Sequence, residues 1–401
     1  MIDKKNWINR GLPSFCTANF DVLKIILLFT KINNLPVLIE STSNQVNQFG
    51  GYTGLYPKSF KKKVDKIRKK LKIKPQKIIF GGDHLGPLPW KNLNESKAMK
   101  NAELLIKQYV NSKYDKIHID TAILCKNQKK LNRLDVVKRC EKLIGKIPSK
   151  KLKNIFFVVG TEVPFAGGGD HLKSPITKLD NIEKEYDMYR SLFKKKKLLS
   201  DKKFGMVVEP GIAFTNDTIT KSSFKDFKNK YNFSKKNNFV YEAHSSDYQK
   251  QIDLKKLNKF NYKILKVGPE LTYFYSKAIM LMNKLEDHLY KKGNSNIKIT
   301  ISAVMDKNKK YWFSYYNKSK LSNEYLKFNS YLDRIRYYWN NKNIIKSKNT
   351  LFKNINKIKD IEYNKIINLN KDNLKTKKKL KLSNVELILF KFLEKSLIKY
   401  Y

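Results

Sequence analysis

Two histidines in this sequence end short apolar runs with carboxylates beside them, a pattern suited to metal-assisted chemistry. One lies in Gly81-Gly82-Asp83-His84-Leu85-Gly86-Pro87 and the other in Glu242-Ala243-His244-Ser245-Ser246-Asp247. Imidazole nitrogens joined by one or two carboxylates suit zinc or a similar divalent ion. An aspartate next to such a ligand can act as general acid or base on a substrate hydroxyl, and Asp83 has that place. Carboxylates end other runs as well: Glu40, Asp120, Glu162 and Glu209. His118 precedes Asp120 in mid-run, where alternation turns it toward surrounding helices, so it reads as structural. His171 and His288 are assigned no role.

Other residues at these ends suit a polar ligand. Asn44, Gln45, Asn47 and Gln48 offer uncharged donors and acceptors for a polyol. Gly50-Gly51-Tyr52-Thr53-Gly54 and Gly167-Gly168-Gly169 let backbone N–H groups approach an anion or a sugar. Lys266 lies between Leu265 and Val267, is less surface-like than most lysines here, and is suited to a phosphate or sugar oxygen. Glu40, Gly168, Ser245 and Gly268 complete the expected substrate-binding set with Asn44, Gln45, Gln48 and Lys266.

These residues act together only if the fold gathers them. Eight β-branched or aromatic runs precede the polar ends: 13–17, 36–41, 77–81, 116–120, 155–160, 205–209, 239–243 and 262–267. Several are almost continuously apolar, as parallel strands buried on both faces are. Each gap has room for a helix. Helical spacing appears in 22–29, 59–71, 98–110, 131–143, 181–192, 253–260 and 271–290. Eight strands alternating with helices predict a (β/α)8 TIM barrel, in which functional groups sit at the carboxyl ends of the strands. A doubly wound open sheet is the weaker alternative. No G-x-G-x-x-G follows the first run, and the polar ends are spread along the chain.

The barrel is expected over residues 1–296, closed by the break at Gly293-Asn294-Ser295-Asn296. Residues 297–401 read as a Lys/Asn-rich helical extension with aromatic blocks at 311–316 and 331–339 and an amphipathic end at 385–400. The composition of Asn341–Lys379 predicts a mobile stretch.

The 401 residues carry 84 Lys+Arg against 35 Asp+Glu, a formal charge of +49. The lysines are spread throughout and no nucleic-acid-binding motif accompanies them, so the charge reads as a solvated surface. Apolar residues at 41% and aromatics at 12% supply a sizeable core and exclude a wholly disordered chain. No run is long and apolar enough to span a bilayer, and the start lacks a hydrophobic signal core. Cys16, Cys125 and Cys140 have neither metal nor redox spacing. A cytoplasmic protein is expected. No G-x-x-x-x-G-K-[ST] loop supports ATP chemistry.

The segments CTANFDVL, PVLIESTSNQVNQFGGYTG, IIFGGDHLGPLPW, KIHID, GTEVP, EPGIAF, YEAHSSDYQ, ILKVGPELT and YLDRIRYYW follow one another in order over roughly residues 11–340. Together they resemble the D-tagatose-1,6-bisphosphate aldolase subunit family of the non-catalytic, Z type, which is similar in fold to class II metal-dependent aldolases. The resemblance implies zinc, or manganese, bound by His84 and His244, with Asp83 as acid/base. It places Glu209 as the third metal ligand, where class II aldolases have a third histidine, and Asp83 or Glu162 as the group that moves the proton at the C4 hydroxyl. The loop matching their phosphate loop reads His244-Ser245-Ser246-Asp247, whose carboxylate disfavours a phosphate, and Ala213 stands where the family usually has glutamate. The expected function is an aldolase subunit in carbohydrate metabolism that supports a catalytic class II subunit. The alternative is a stand-alone metal-dependent ketose 4-epimerase or aldolase. An oligomer is expected, with neither a specific nucleic-acid partner nor a membrane.

Overall fold

A computed structural model describes residues 7–160, 176–196, 204–290, 292–317, 319–359 and 377–401. Eight parallel strands close into a barrel: β1 (Leu12–Cys16), β2 (Val37–Thr42), β3 (Ile78–Leu85), β4 (Lys116–Ile119), β5 (Phe156–Val159), β6 (Gly205–Val207), β7 (Val240–Ala243) and β8 (Tyr262–Val267). Each pairs with its sequence neighbours, and β1 pairs with β8 to complete the ring. All eight expected runs are strands, and the barrel architecture is the predicted one.

Eight helices surround the ring: α1 (Phe20–Ile32), α2 (Pro57–Lys70), α3 (Glu95–Asn111), α4 (Arg133–Ile144), α5 (Leu179–Lys195), α6 (Phe227–Lys236), α7 (Gln251–Lys259) and α8 (Pro269–Leu289). Local chemistry sets several starts. Asn19 Oδ1 accepts from the amides of Asp21 and Val22, and Asn132 forms a reciprocal capping box with Asp135. Helix α6 has no apolar stripe in the sequence, since Phe227 is its one buried apolar residue beside buried Lys230 and Ser234. A small hairpin, Ala213–Phe214 with Ile219–Thr220, adds to the loop after β6.

Outward strand residues such as Val37, Ile39, Phe80, Ile117, Tyr241 and Val267 join the helices in the main core. Inside the barrel the side chains form layers. At the amino ends, Leu12, Leu38, Ile79, Val158, Val207, Val240 and Ile264 pack with Trp7 and Ile8, which plug that end. The inward residues of the next layers include Glu40, Lys116, Glu242 and Lys266, an arrangement that requires countercharges inside the barrel.

The described part of the extension includes α9 (Ile297–Lys307), α10 (Asn323–Asn329), α11 (Lys342–Lys357) and α12 (Asn384–Leu397). Helix α12 packs between α8 and α1. The expectation of a mobile 341–379 stretch is corrected over α11. Asn341 caps this helix at 3.0 Å from the Asn343 amide, and Ile344, Leu351 and Ile355 are buried. Spaced apolar residues outweigh a polar composition there. Residues 360–376 lie outside the described residues. Among the described residues no helix is long and apolar enough to cross a membrane.

Candidate functional site

On β3 the partner register shifts between Gly82 and Leu85, and His84 takes a left-handed φ of 47°. This bulge breaks the alternation that would point neighbouring residues to opposite faces. Asp83 and His84 therefore both enter the barrel. On β4 the inward positions are Lys116 and His118, so the expectation that His118 faces the helices is corrected. A strand whose inner face carries a buried lysine shows its outer face at Ile117 and Ile119. On β7, Glu242 and His244 point inward, and the chain then turns at Ser245 with φ 54°.

Potential ligand atoms of Asp83, His84, His118 and His244 all lie within 4.8 Å of one another, and all four residues are buried. The ring centroids are 5.0 Å apart for His84–His118, 5.0 Å for His84–His244 and 5.3 Å for His118–His244. Each ring has a distinct hydrogen-bond setting. His84 Nδ1 is 2.8 Å from Asp120 Oδ2, which leaves Nε2 for a ligand. His244 Nε2 is 3.0 Å from Glu242 Oε1. His118 Nδ1 is 2.9 Å from Asp83 Oδ1, while its Nε2 is buried without a hydrogen-bond partner among the described residues. Burial lowers the pKa of His118, and burial with the charge of Lys266 holds His244 well below its ordinary value. Neutral imidazole is the form that ligates.

Below these rings lies a charged layer. Lys116 Nζ is 2.6 Å from Glu40 Oε1 and 2.5 Å from Glu242 Oε2, with all three side chains at 0% exposure. These are close charge contacts without hydrogen-bond alignment. Lys266 pairs with Asp83 and lies 3.4 Å from Glu242 and 3.9 Å from Glu40. Burial opposes charge on both lysines, but the surrounding carboxylates raise their pKa values. Burial also opposes ionisation of Asp83, yet His84, Lys266 and His118 hold its carboxyl well below the usual range. Burial raises Glu40 despite Lys116 and Lys266.

Across Glu40, Asp83, Asp120, Glu242, Lys116 and Lys266, four carboxylates meet two ammonium groups. A divalent cation among the three imidazoles would offset that negative excess. The partnerless His118 nitrogen and the donor set fit such an ion. Cys16, Glu40 and Asp83 form a second cluster of potential ligands, but the Lys266 ammonium already contacts its two carboxylates. Burial and Asp83 push the Cys16 thiol well up.

A cavity of about 300 Å³ opens onto this group. Asn44, Gln45, Ser245, Lys266 and Gly268, all expected substrate residues, line it with Asp83, His84 and His244. The other expected positions differ. Glu40 lies in the charged layer below. Gln48 donates from Nε2 to Asn101 O at 2.9 Å, which ties its loop to α3. Glu209 is not one of the four clustered ligands, and its amide donates to Thr177 Oγ1 at 3.0 Å. Glu162 and Gly168 lie outside the described residues.

The sequence reading missed the contribution of the extension. Arg336, Tyr337, Trp339, Asn340 and Lys348 line the cavity. They are anchored to the barrel: Lys348 Nζ is 2.6 Å from Asp21 Oδ2, Tyr275 Oη donates to the same oxygen at 2.7 Å, and Tyr248 Oη donates to Tyr331 O at 2.7 Å. Asp247 is also in the wall, its carboxyl raised to about 7 by burial and the nearby Glu270 charge. The one local signal for the extension's role was its dense aromatic block at 331–339.

A family model described as D-tagatose-1,6-bisphosphate aldolase subunit GatZ/KbaZ-like matches residues 1–400. The chain is similar to a solved structure of a probable tagatose 6 phosphate kinase from Sinorhizobium meliloti 1021. Identity is 27% and the TM-score 0.85, over 98% of this chain and 99% of that one. Fainter likeness extends to fructuronate-tagaturonate epimerase UxaE from Cohnella laeviribosi, at 10% identity and TM-score 0.47 over 100% of this chain and 82% of that one. The fructose-bisphosphate aldolase of Campylobacter jejuni gives 14% and 0.45 over 91% and 92%. Likeness at these last two levels bears no weight for function.

Proposed function

The chain belongs to the D-tagatose-1,6-bisphosphate aldolase subunit GatZ/KbaZ-like family, and from that premise we propose that its barrel mouth holds one divalent cation, zinc, and acts on a ketose. The observation that carries the proposal is the buried group of three imidazoles around Asp83 with negative charge in excess. His84, His118 and His244 would hold the ion. Bound there, it supplies Lewis-acid polarisation of a ketone and its neighbouring hydroxyl.

The chain's own residues do the rest. Asp83, kept ionised by His84, Lys266 and His118 around it, accepts the proton of the C4 hydroxyl. The C3–C4 bond breaks, C4 becomes an aldehyde carbon, and the electron pair passes to the C2 carbonyl as an enediolate. Lys266, protonated beside Asp83, donates to a substrate oxygen. Asn44 and Ser245 bind hydroxyls in the cavity wall. Glu162 is proposed as a second proton carrier. In its family setting the chain works in the cytoplasm, in an oligomer with a catalytic class II aldolase subunit.

One observation favours a second reading, 4-epimerisation. The extension walls the cavity with Arg336, Tyr337 and Trp339, which retains the aldehyde fragment for re-addition on its other face.

Metal analysis of chelated and reconstituted protein, followed by a ketose panel with and without a class II aldolase subunit, tests both readings. About one ion per chain is expected, lost on His118→Ala. Cleavage products that accumulate only with the partner support the aldolase reading, and a C4 epimer formed by the chain alone supports the second. Absence of bound metal together with absence of turnover in every mixture would end both.

A further inference from the structure

Helix α8 begins immediately after β8, at the cavity wall. In (β/α)8 barrels the helix amides near the last strands are a frequent phosphate site, because free N–H groups and the helix dipole favour an anion. Here those donors are already used. Asp247 Oδ1 accepts from the amides of Gly268 at 2.9 Å and Glu270 at 2.8 Å. Pro269, between them, has no N–H. The next amides, Leu271 and Thr272, bond to Gly268 O at 3.1 and 3.4 Å.

The Asp247 carboxyl is 2% exposed, so it is a built-in occupant of the helix end and not a surface acid. Glu270, fully buried, adds a second carboxylate. It accepts from the Tyr248 amide at 2.6 Å, from Tyr400 Oη at 3.2 Å and from Lys399. Tyr400 Oη also donates to Ser246 O at 2.9 Å, so the chain's last turn braces the loop that carries Asp247. A phosphate at the start of α8 would meet two carboxylates and find the Gly268 and Glu270 amides already engaged.

We infer that Asp247 determines specificity by excluding phosphate from the α8 end of the cavity, so the ketose accepted by this barrel is unphosphorylated at the end facing Gly268. This rests on the reading of the cavity as a ketose site. It sets the chain's own ligand apart from the bisphosphate that gives the family its description.

Calorimetric titration of the metal-reconstituted full chain with tagatose, tagatose 6-phosphate, tagatose 1-phosphate and inorganic phosphate tests the inference. The wild type is expected to bind tagatose more tightly than at least one monophosphate by about tenfold or more. Asp247→Ser vacates the two amides. It is expected to gain binding of inorganic phosphate and of that monophosphate by about tenfold or more. Asp247→Asn keeps the acceptor oxygen and controls for folding. It should narrow the discrimination without binding inorganic phosphate. Wild-type protein that binds both monophosphates as tightly as tagatose would overturn the inference, as would an Asp247→Ser variant that melts normally yet gains no phosphate affinity. If no sugar binds at all, the ketose reading falls, but the inorganic phosphate comparison still decides the role of Asp247.

Discussion

Replacing Lys116 by methionine tests whether the charged layer inside the barrel is held as the structure indicates. The ammonium is the close cation for two carboxylates, at 2.6 Å from Glu40 and 2.5 Å from Glu242, all at 0% exposure. At an effective dielectric of about 20, each contact is worth roughly 6 kcal/mol of gross attraction. Desolvation of the buried ammonium cancels much of that. Lys266, 3.9 and 3.4 Å from the same carboxylates, takes over part of the screening. Breaking a buried pair on one side costs about 3–5 kcal/mol, so a loss near 4 kcal/mol at pH 7.5 is expected.

The pH dependence follows from the same geometry. Without Lys116, burial and mutual repulsion raise the folded-state pKa of the Glu40–Glu242 pair. A carboxyl raised above its unfolded value of about 4.3 contributes stability that is present at low pH and lost as pH rises through the folded value. The variant's deficit is therefore expected to shrink between pH 7.5 and 5.5. Adding Glu40→Gln removes one of the unpaired charges and is expected to restore at least about half the loss, a non-additive double-mutant cycle. Urea unfolding at both pH values, with fluorescence as the signal, measures each quantity. A Lys116→Met deficit under about 1 kcal/mol at pH 7.5, or one independent of pH, would refute the reasoning.

Asp120→Asn weakens the partner that orients His84 Nδ1 at 2.8 Å. A loss of about 10–100-fold in zinc affinity with little change in melting temperature is expected, measured by competition with a chromogenic chelator. Gly81→Ala places a Cβ 2.4 Å from Glu40 Oε1 and 2.7 Å from its Cγ. Because Glu40 is pinned by Lys116, a destabilisation of about 2–3 kcal/mol is expected in urea, and a neutral result would show that the charged layer is loose. Asp247, raised to about 7, contributes stability at low pH that is lost as pH climbs from its unfolded value of about 3.9 through about 7. Asp247→Asn removes that loss. Its stability relative to wild type should rise between pH 5 and pH 8, by about 2.6 kcal/mol at most, and a flat difference would contradict the pKa assigned to Asp247.

The eight strands were legible because parallel strands with helices on the outside need apolar residues at every outward position, and β-branched runs supply them. Asp83, His84 and His244 were legible because chemistry in a barrel sits at strand ends. Helix α6 was not, since its one buried apolar residue leaves no stripe to read. His118 was misread for a related reason. Alternation along β4 fixes which residues share a face but not which face is inside.

The sequence by itself determined the order of strands and helices, the family and the residue types at the strand ends, because these follow from local periodicity and contiguous motifs. Only the tertiary structure decided that the third imidazole of the group is His118, that Lys116 and Lys266 are locked among carboxylates, and that Asp247 fills the end of α8. Those facts depend on a bulge of one residue at Asp83–His84 and on closure of the ring, which bring side chains more than 150 residues apart within hydrogen-bonding distance. No spacing along the chain encodes such distances.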